Sequence, residues 1–242
     1  VPVFYTGFVA SRSELLGRAK KQNRVKQIIV SAGGGIVGGD LFRAAIEAHK
    51  ILSKQVNVRT TIVGGLFLPE TELTDLHKLA GKYTGLTLKR FIPKLREEMS
   101  SSDVSVSQCG YNTALDIILS GVSAVVVPFG NGTGEDEQTK RARRLEEIGA
   151  LKICEKTDAE SLACEIEKAF TFRPRPLSLN FDGGAASSAI ISKLLTQSIP
   201  PADWLEPVRR ALQNRNRPVK VFFRNDDAGV ENERLFHLAG VF

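Results

Sequence analysis

The feature that most constrains the fold is a regular alternation of short apolar segments and amphipathic segments between Lys26 and Phe170. The first apolar segment, KQIIVSAG, is followed by GDLFRAAIEAHKILSK, whose apolar residues fall on one helical face. Five further apolar segments, each with a helix-like segment behind it, repeat this order. The alternation is typical of a parallel sheet with helices on both faces, and right-handed crossovers make such a sheet doubly wound. The sequence therefore predicts the α/β class.

Shifts in composition divide the chain into three parts. Residues 1–24 begin with an apolar piece and then become polar, which is typical of a connecting segment. Residues 25–198 carry the alternating segments and one more predicted helix, AASSAIISKLLTQ, and form the main domain. Residues 199–242 begin at a proline-containing break and include a strand-like stretch, PVKVFFRNDDAG. This stretch indicates the start of a separate structural unit.

A glycine-rich turn follows the first predicted strand. Gly33, Gly34 and Gly35 end that strand, and Gly38 and Gly39 open the next helix. Glycine lets a backbone approach a ligand closely, and a helix N-terminus offers N–H groups to a phosphate. The spacing differs from GxGxxG, and no Gly-Lys-Ser/Thr follows as in a P-loop. The residues alone leave open a phosphate-binding loop and a tight strand-to-helix turn.

Polar residues follow three other predicted strands, in the segments KRFI, SQCGYNT and PFGNGTGEDEQ. Because ligands of open parallel sheets bind at the carboxyl ends of strands, all of these segments should meet at one edge. Asp116, on the helix after SQCGYNT, can accept hydrogen bonds from ribose hydroxyls. The loop from Glu135 to Gln138 supplies side chains suited to sugar hydroxyls. This combination indicates a nucleotide-sugar site.

Charge and cysteine content exclude some classes of protein. The net charge of +6 favours anionic partners such as phosphates. Aromatic residues are not interleaved with the basic runs, which argues against nucleic acid as a partner. The basic run KRARR leads into two glutamates and predicts a solvated helix face. The three cysteines lack metal-ligand spacing, so we expect reduced thiols in a cytoplasmic protein, with Cys109 a small buried thiol, and no metal or cofactor.

The stretch VSQCGYNTALDIILSGVSAVVVPFGNGTGEDEQTKRARRLEEIGA resembles the C-terminal domain of glycosyltransferase family 28. The family pattern there is roughly Ser-Arg-x-Gly, Thr-x-x-Glu, a strand ending Val-Pro-Phe, and a loop ending Asp-x-Gln before Asn-Ala. The opening FYTGFVAS resembles the family's link between its two halves, and GGG its Gly-Gly-Ser phosphate loop. The resemblance covers about Val3 to Thr196. It implies a Rossmann-like domain that is one half of a GT-B glycosyltransferase.

The resemblance also implies roles for individual residues. Those expected to face the donor diphosphate are Gly33, Gly34 and Gly35. Those expected to line the nucleotide pocket are Phe91, Ile92, Gly110, Thr113 and Asp116. Those expected at the donor sugar are Asp136, Glu137 and Gln138. The chain departs from the family pattern in three places: Asp116 replaces a Glu, Gln108 replaces an Arg, and the GNGTGEDEQ loop is longer than one that often carries a His.

The implied activity is transfer of a sugar, with inversion, from a nucleotide diphosphate donor, a UDP-sugar being favoured. The implied acceptor is a saccharide or a lipid-linked saccharide of cell-envelope polysaccharide synthesis. The general base is not assigned, because the resemblance places it on an N-terminal acceptor domain that would act in cis or in trans. We expect a cytoplasmic location, with peripheral attachment at the inner membrane face left open.

The C-terminal segment has a resemblance of its own. FFRNDDAG is similar to the first motif of polysaccharide deacetylases, in which paired aspartates serve as base and metal ligand. Asp226 and Asp227 would be that pair. The histidine pair of that family does not follow, since His237 is the one histidine beyond residue 77. We therefore expect a truncated deacetylase-like start without a metal site.

Two other functions stay open. The first is a non-catalytic subunit of a split glycosyltransferase, whose site a partner chain completes. The second is a nicotinamide-dependent oxidoreductase that uses the first glycine loop. The second is disfavoured, because the strand that should end in an acidic ribose-binding residue ends in VGG.

Overall fold

The structure, a computed structural model, describes residues 6–9, 25–129, 137–177 and 179–196. The predicted alternation is confirmed. The strands are β1 (Lys26–Ser31), β2 (Val58–Val63), β3 (Leu86–Lys89), β4 (Val104–Ser107), β5 (Ser123–Val126) and β6 (Lys152–Ile153). The helices are α1 (Gly39–Leu52), α2 (Glu70–Ala80), α3 (Leu95–Ser101), α4 (Tyr111–Ser120), α5 (Glu137–Glu147), α6 (Ala159–Ala169) and α7 (Gly183–Thr196).

The six strands form one parallel sheet in the order β3-β2-β1-β4-β5-β6. The chain runs outward from β1 to β3 on one side and then returns to place β4 on the other side of β1. Ser31 and Ser107, the last residues of β1 and β4, are register partners. The strand order therefore reverses between β1 and β4, and a crevice outside their carboxyl ends is where open α/β sheets bind ligands.

Helices cover both faces of the sheet, as the doubly wound prediction requires. Apolar residues of α1, α2 and α6 pack with Ile28 and Val30 on one face. Residues of α3, α4 and α5 pack with Ile29 on the other. Because the central strands are buried on both faces, their sequences read as continuous apolar runs. Full burial of a side chain such as Phe42 contributes about 1.5–3 kcal/mol to this packing.

His49 is a packed core residue of α1. Its Nδ1 lies 2.9 Å from Thr60 Oγ1, and its Nε2 lies 3.1 Å from the Thr84 carbonyl oxygen. Burial lowers the pKa of the imidazole below its ordinary value, and the bond to Thr84 opposes this effect more weakly. The side chain therefore ties α1 to β2 and to the turn before β3.

The described residues fall into two compact units. The larger contains the sheet and α1 to α6. In the smaller, Val9 and Asp182 form an antiparallel bridge, Phe8 N–H donates to the Asn180 carbonyl at 2.8 Å, and α7 follows from Gly183. Helix α7 starts two residues earlier than the sequence pattern predicted.

Most of the predicted linker 1–24 and all of the predicted deacetylase-like start, with Asp226, Asp227 and His237, lie outside the described residues. The domain boundaries at residues 24 and 198 stay predictions. Within the described ranges, no helix combines the length and apolar character needed to cross a membrane.

Candidate functional site

The glycine turn after β1 is interlocked with the turn after β2. Gly33 and Gly35 have φ values of +53° and +92°, in the region that favours glycine. A Cβ on Gly35 would overlap the carbonyl oxygen of Gly64, so the two backbones touch. Phe67 N–H also donates to the Gly34 carbonyl at 2.8 Å. Gly33 and Gly34 are exposed, so a rigid turn presents its backbone to solvent beside the end of β1.

Gln108, directly after β4, connects this turn to the neighbouring strand end. Its Nε2 donates to the Val37 carbonyl at 3.0 Å, and the residue is 9% exposed. The bond therefore bridges the point at which the strand order reverses. Gln108 stands where the family pattern has an arginine. At this position a neutral amide therefore supports the glycine turn.

The turn between β4 and α4 presents the N-terminus of a helix to the same edge. Gly110 is the N-cap residue of α4, and no side chain in the described part of the chain caps this end. Thr113 lies in the first turn and is half-buried. The N–H groups of a first helical turn have no partner within the helix and carry partial positive charge, which suits an anion.

The first turns of α5 hold the turn before α4 through the peptide groups of Cys109. Gln138 Oε1 accepts hydrogen bonds from Cys109 N–H at 3.0 Å and from Phe129 N–H at 3.2 Å. Arg141 Nη1 donates to the Cys109 carbonyl at 2.7 Å. Gln138 and Arg141 are three residues apart and therefore share a helix face. Together they bind the N–H and the carbonyl group of Cys109, and Gln138 also joins the end of β4 to the end of β5.

Cys109 is a small buried thiol, as its sequence context predicts. It is fully buried, and burial raises the pKa of its thiol to about 11, while the nearby Arg141 guanidinium has a weaker opposite effect. The thiol therefore stays protonated at neutral pH and is a poor nucleophile. Its contribution to the site is the position of its backbone.

Asp116 is paired with a cation rather than free. Arg96 Nε donates to Asp116 Oδ1 at 2.7 Å, and both side chains are partly exposed. The pair joins α3 to α4. Arg96 lies on a different element, so this pairing could not be seen in the local sequence, and the expected role of Asp116 at a ribose stays a prediction. The second carboxylate oxygen, Oδ2, has no hydrogen-bond partner among the described residues.

Phe91 and Ile92 follow β3 and differ in burial. Phe91 is 53% exposed, whereas Ile92 packs against the core layer of α3 and α4. Gly65 N–H donates to the Arg90 carbonyl at 2.8 Å, which extends the pairing of β2 with β3 up to this point. An exposed aromatic ring at the end of a strand offers a flat apolar surface to a ligand.

The predicted site residues are thus only partly joined. Bonds connect the glycine turn, Gln108, Cys109 and Gln138 into one network across the carboxyl ends of β1, β4 and β5. Glu137 starts α5 and is exposed. Asp136 lies outside the described residues.

Sequence reasoning missed one residue of this network, Arg141. Lys140, Arg143 and Arg144 are exposed, as the prediction of a solvated face for KRARR required. Arg141 instead turns towards Cys109, and its Cζ lies 6.0 Å from the centre of the Tyr111 ring. The available signal was its spacing of three residues from Gln138, which was already a candidate site residue.

A separate open groove of about 390 Å³ lies where the first half of α1 faces the start of α6. It is lined by Asp40, Arg43, Ala44, Glu47, Thr157 and Ala159. Its charges are mixed, and Arg43 is 3.6 Å from Glu72 in an ion pair. No predicted site residue lines it, so we regard the edge formed by β1, β4 and β5 as the stronger candidate.

Comparison with protein families gives a match for residues 29–189, to the model described as glycosyltransferase family 28 C-terminal domain. A curated relative from Acinetobacter baumannii, UDP-N-acetylglucosamine--N-acetylmuramyl-(pentapeptide) pyrophosphoryl-undecaprenol N-acetylglucosamine transferase, is 31% identical over 124 residues, 50% of this chain and 34% of that protein. An uncharacterized glycosyltransferase from Methanopyrus kandleri is 26% identical over 68% of this chain and 44% of its own length. The chain thus spans about a third to under half of the length of these two curated relatives.

Solved structures show the same fold. The crystal structure of Acinetobacter baumannii MurG superposes with a TM-score of 0.50 at 22% identity, over 73% of this chain and 55% of that one. A likeness at this identity supports the architecture, a Rossmann-like half of a GT-B fold. It does not by itself assign a ligand.

Proposed function

Because the chain belongs to the glycosyltransferase family 28 C-terminal domain family, we propose that its larger unit binds the nucleotide diphosphate sugar donor of an inverting glycosyltransferase. A UDP-sugar is the favoured donor, since the Acinetobacter baumannii relative is named for UDP-N-acetylglucosamine. The acceptor is a saccharide or a lipid-linked saccharide. The class of reaction is sugar transfer, which is the activity named for both curated relatives.

One observation carries the proposal. The exposed backbone of Gly33 and Gly34 and the N-terminus of α4, where Gly110 has no side chain that could form a cap, lie after neighbouring strands, and the Gln108 side chain bonds the two segments together. Both features supply N–H groups and positive potential, which a diphosphate requires. Both also follow the strands between which the order reverses, where this kind of sheet binds nucleotides.

The remaining roles follow from position. Asp116 Oδ2 is available to accept a bond from a ribose hydroxyl, while Arg96 holds the carboxylate through Oδ1. Phe91 offers its exposed ring to the base. Gln138 uses Oε1 to hold two strand ends, so its amide NH₂ is the group left to contact the donor sugar. Glu137 and Asp136 complete the proposed sugar contacts.

The proposal assigns this chain donor binding rather than the whole reaction. A general base must lie within about 3 Å of the acceptor hydroxyl that it deprotonates. His49, the histidine packed beneath the sheet, is buried and bonded on both ring nitrogens, and so it cannot serve. The base would come from an acceptor domain in cis or in trans. In the alternative, a split transferase, this chain would be a non-catalytic subunit with the same donor site. The acceptor domain would then lie on a separate chain.

The experiment is a thermal-shift screen of the 242-residue chain with UDP, other nucleoside diphosphates, uridine and NAD. A ligand at one hundred times its dissociation constant stabilises the fold by about 2.7 kcal/mol, which raises the melting temperature by about 5–10 °C at this chain length. We expect that shift with UDP and none with NAD. A shift with NAD and none with any nucleoside diphosphate would instead favour the oxidoreductase.

A further inference from the structure

The basic side chains at the carboxyl edge of the sheet are not equivalent. Those after β3 are neutralised: Arg90 pairs with Glu70, Lys94 with Glu97 and Arg96 with Asp116. Arg141 differs from them. In the described part of the chain, no carboxylate lies within ion-pairing distance of its guanidinium, which makes one hydrogen bond, to the Cys109 carbonyl.

The position of Arg141 is fixed from two sides. Its Nη1 lies 2.7 Å from the Cys109 carbonyl oxygen, and its Cζ lies 6.0 Å from the centre of the Tyr111 ring. Cys109 and Tyr111 flank Gly110, the residue from which α4 starts. A guanidinium has five N–H donors, so the anchoring bond leaves others for a ligand. The positive charge is therefore held beside the N-terminus of a ten-residue helix.

We propose that Arg141 is a specificity-determining residue of the donor site, which binds a phosphate of the nucleoside diphosphate. The inference rests on the proposed donor-binding function. A diphosphate carries at least two negative charges, and backbone N–H groups supply only partial positive charge. The side chain that supports the glycine turn, Gln108, is neutral. Arg141 supplies one full positive charge, and a charged donor makes stronger and more directional bonds to phosphate oxygens than a neutral one.

If this assignment is correct, the loss of affinity on replacing Arg141 should depend on the number of phosphates in the ligand. A purely structural role would not produce that dependence. If Arg141 only held the turn before α4, its loss would weaken UDP and uridine binding equally. If it binds phosphate, its loss should weaken UDP binding, weaken UMP binding less, and leave uridine binding unchanged. The salt dependence of UDP binding should also fall, since one ionic contact is gone.

The test is calorimetric titration of the 242-residue chain with UDP, UMP and uridine. Arg141→Gln should lose about tenfold or more in UDP affinity, the range of a charge-assisted hydrogen bond. Arg141→Lys keeps the charge without the planar fork and should fall between it and the wild type. Arg144→Gln, an exposed neighbour on the same helix, is the matched control and should bind UDP normally.

The outcomes separate the two claims. If the wild type binds no nucleoside diphosphate, the proposed function fails. If the wild type binds UDP and a folded Arg141→Gln retains the wild-type ratio of UDP to uridine affinity, the inference about Arg141 fails and the function stands. Should Arg141→Gln not fold, phenylglyoxal labelling of the wild type decides. UDP should protect Arg141 but not Arg144, uridine should protect neither, and equal labelling of Arg141 with and without UDP would overturn the proposal.

Discussion

Replacing Gly35 with Ala tests how the turn after β1 is built. Gly35 has a φ of +92°, and a Cβ there would overlap the Gly64 carbonyl oxygen. Gly33 in the same turn also has a positive φ, +53°, but a Cβ there would meet nothing within 4 Å. The same substitution at two neighbouring positions therefore separates backbone strain from contact between the turns.

The expected losses of stability follow from the backbone strain and from the contact between the two turns. A left-handed conformation costs an alanine about 1–2 kcal/mol, and the stiffer unfolded chain returns about 0.4–1 kcal/mol. Gly33→Ala should thus lose about 1 kcal/mol in the free energy of unfolding. Gly35→Ala must also separate the two turns, which weakens the bond from Phe67 N–H to the Gly34 carbonyl and its packing. That adds about 1–2 kcal/mol, for a total of about 2–3 kcal/mol.

The assay is equilibrium urea unfolding of both variants and the wild type, followed by UDP titration of the folded proteins. Gly35→Ala should have the clearly lower midpoint with an unchanged slope, and weaker UDP binding, because the exposed backbone of Gly33 and Gly34 shifts with the turn. Equal losses for the two variants would refute the interlocked geometry.

Three further substitutions test other contacts. Gln138→Ala should lose about 1–3 kcal/mol of stability, because two partly buried N–H groups lose their acceptor. Gln138→Glu, which keeps the acceptor oxygen, should lose clearly less in the same urea assay. Asp116→Ala should weaken UDP binding by about 1.5–3 kcal/mol. It should cost at most about 1 kcal/mol of stability, since the ion pair of Asp116 is partly exposed. Normal UDP affinity of this variant would show that Asp116 is not part of the site. Stability should fall as pH drops below 6.5, because burial lowers the pKa of His49 and the unfolded chain takes up the proton first. The urea midpoints of the wild type and of His49→Gln, measured against pH, check this. If both proteins show the same pH dependence, His49 is not its source.

The architecture could be predicted from the sequence because its determinants are local. The apolar runs of β1 and β4 and the amphipathic spacing of α1 are visible within a few residues, and the handedness of the crossovers leaves few topologies. The same pattern places His49 at the edge of the apolar face of α1, which indicates a packed or a rim residue, and the structure shows that it is buried. The edge at which we propose that a ligand binds was inferred from the same parallel order of the strands, and it stays a prediction.

The contacts between side chains could not be predicted in this way. Arg96 and Asp116 are twenty residues apart, and their pairing depends on how α3 packs against α4. Gln138 was expected to face the donor sugar, but its Oε1 holds the N–H groups of Cys109 and Phe129. A sequence shows which polar residues follow a strand, but it does not show which backbone groups the fold leaves in need of a partner. Arg141 was overlooked for that reason.

The most direct test of the account is mapping of UDP on the isotope-labelled chain by amide chemical-shift changes in NMR. If the donor site is where we place it, the largest changes fall on Gly33, Gly34 and the residues from Gly110 to Thr113. Changes centred on the groove between Asp40 and Thr157, or no changes at UDP concentrations that saturate family relatives, would contradict the account.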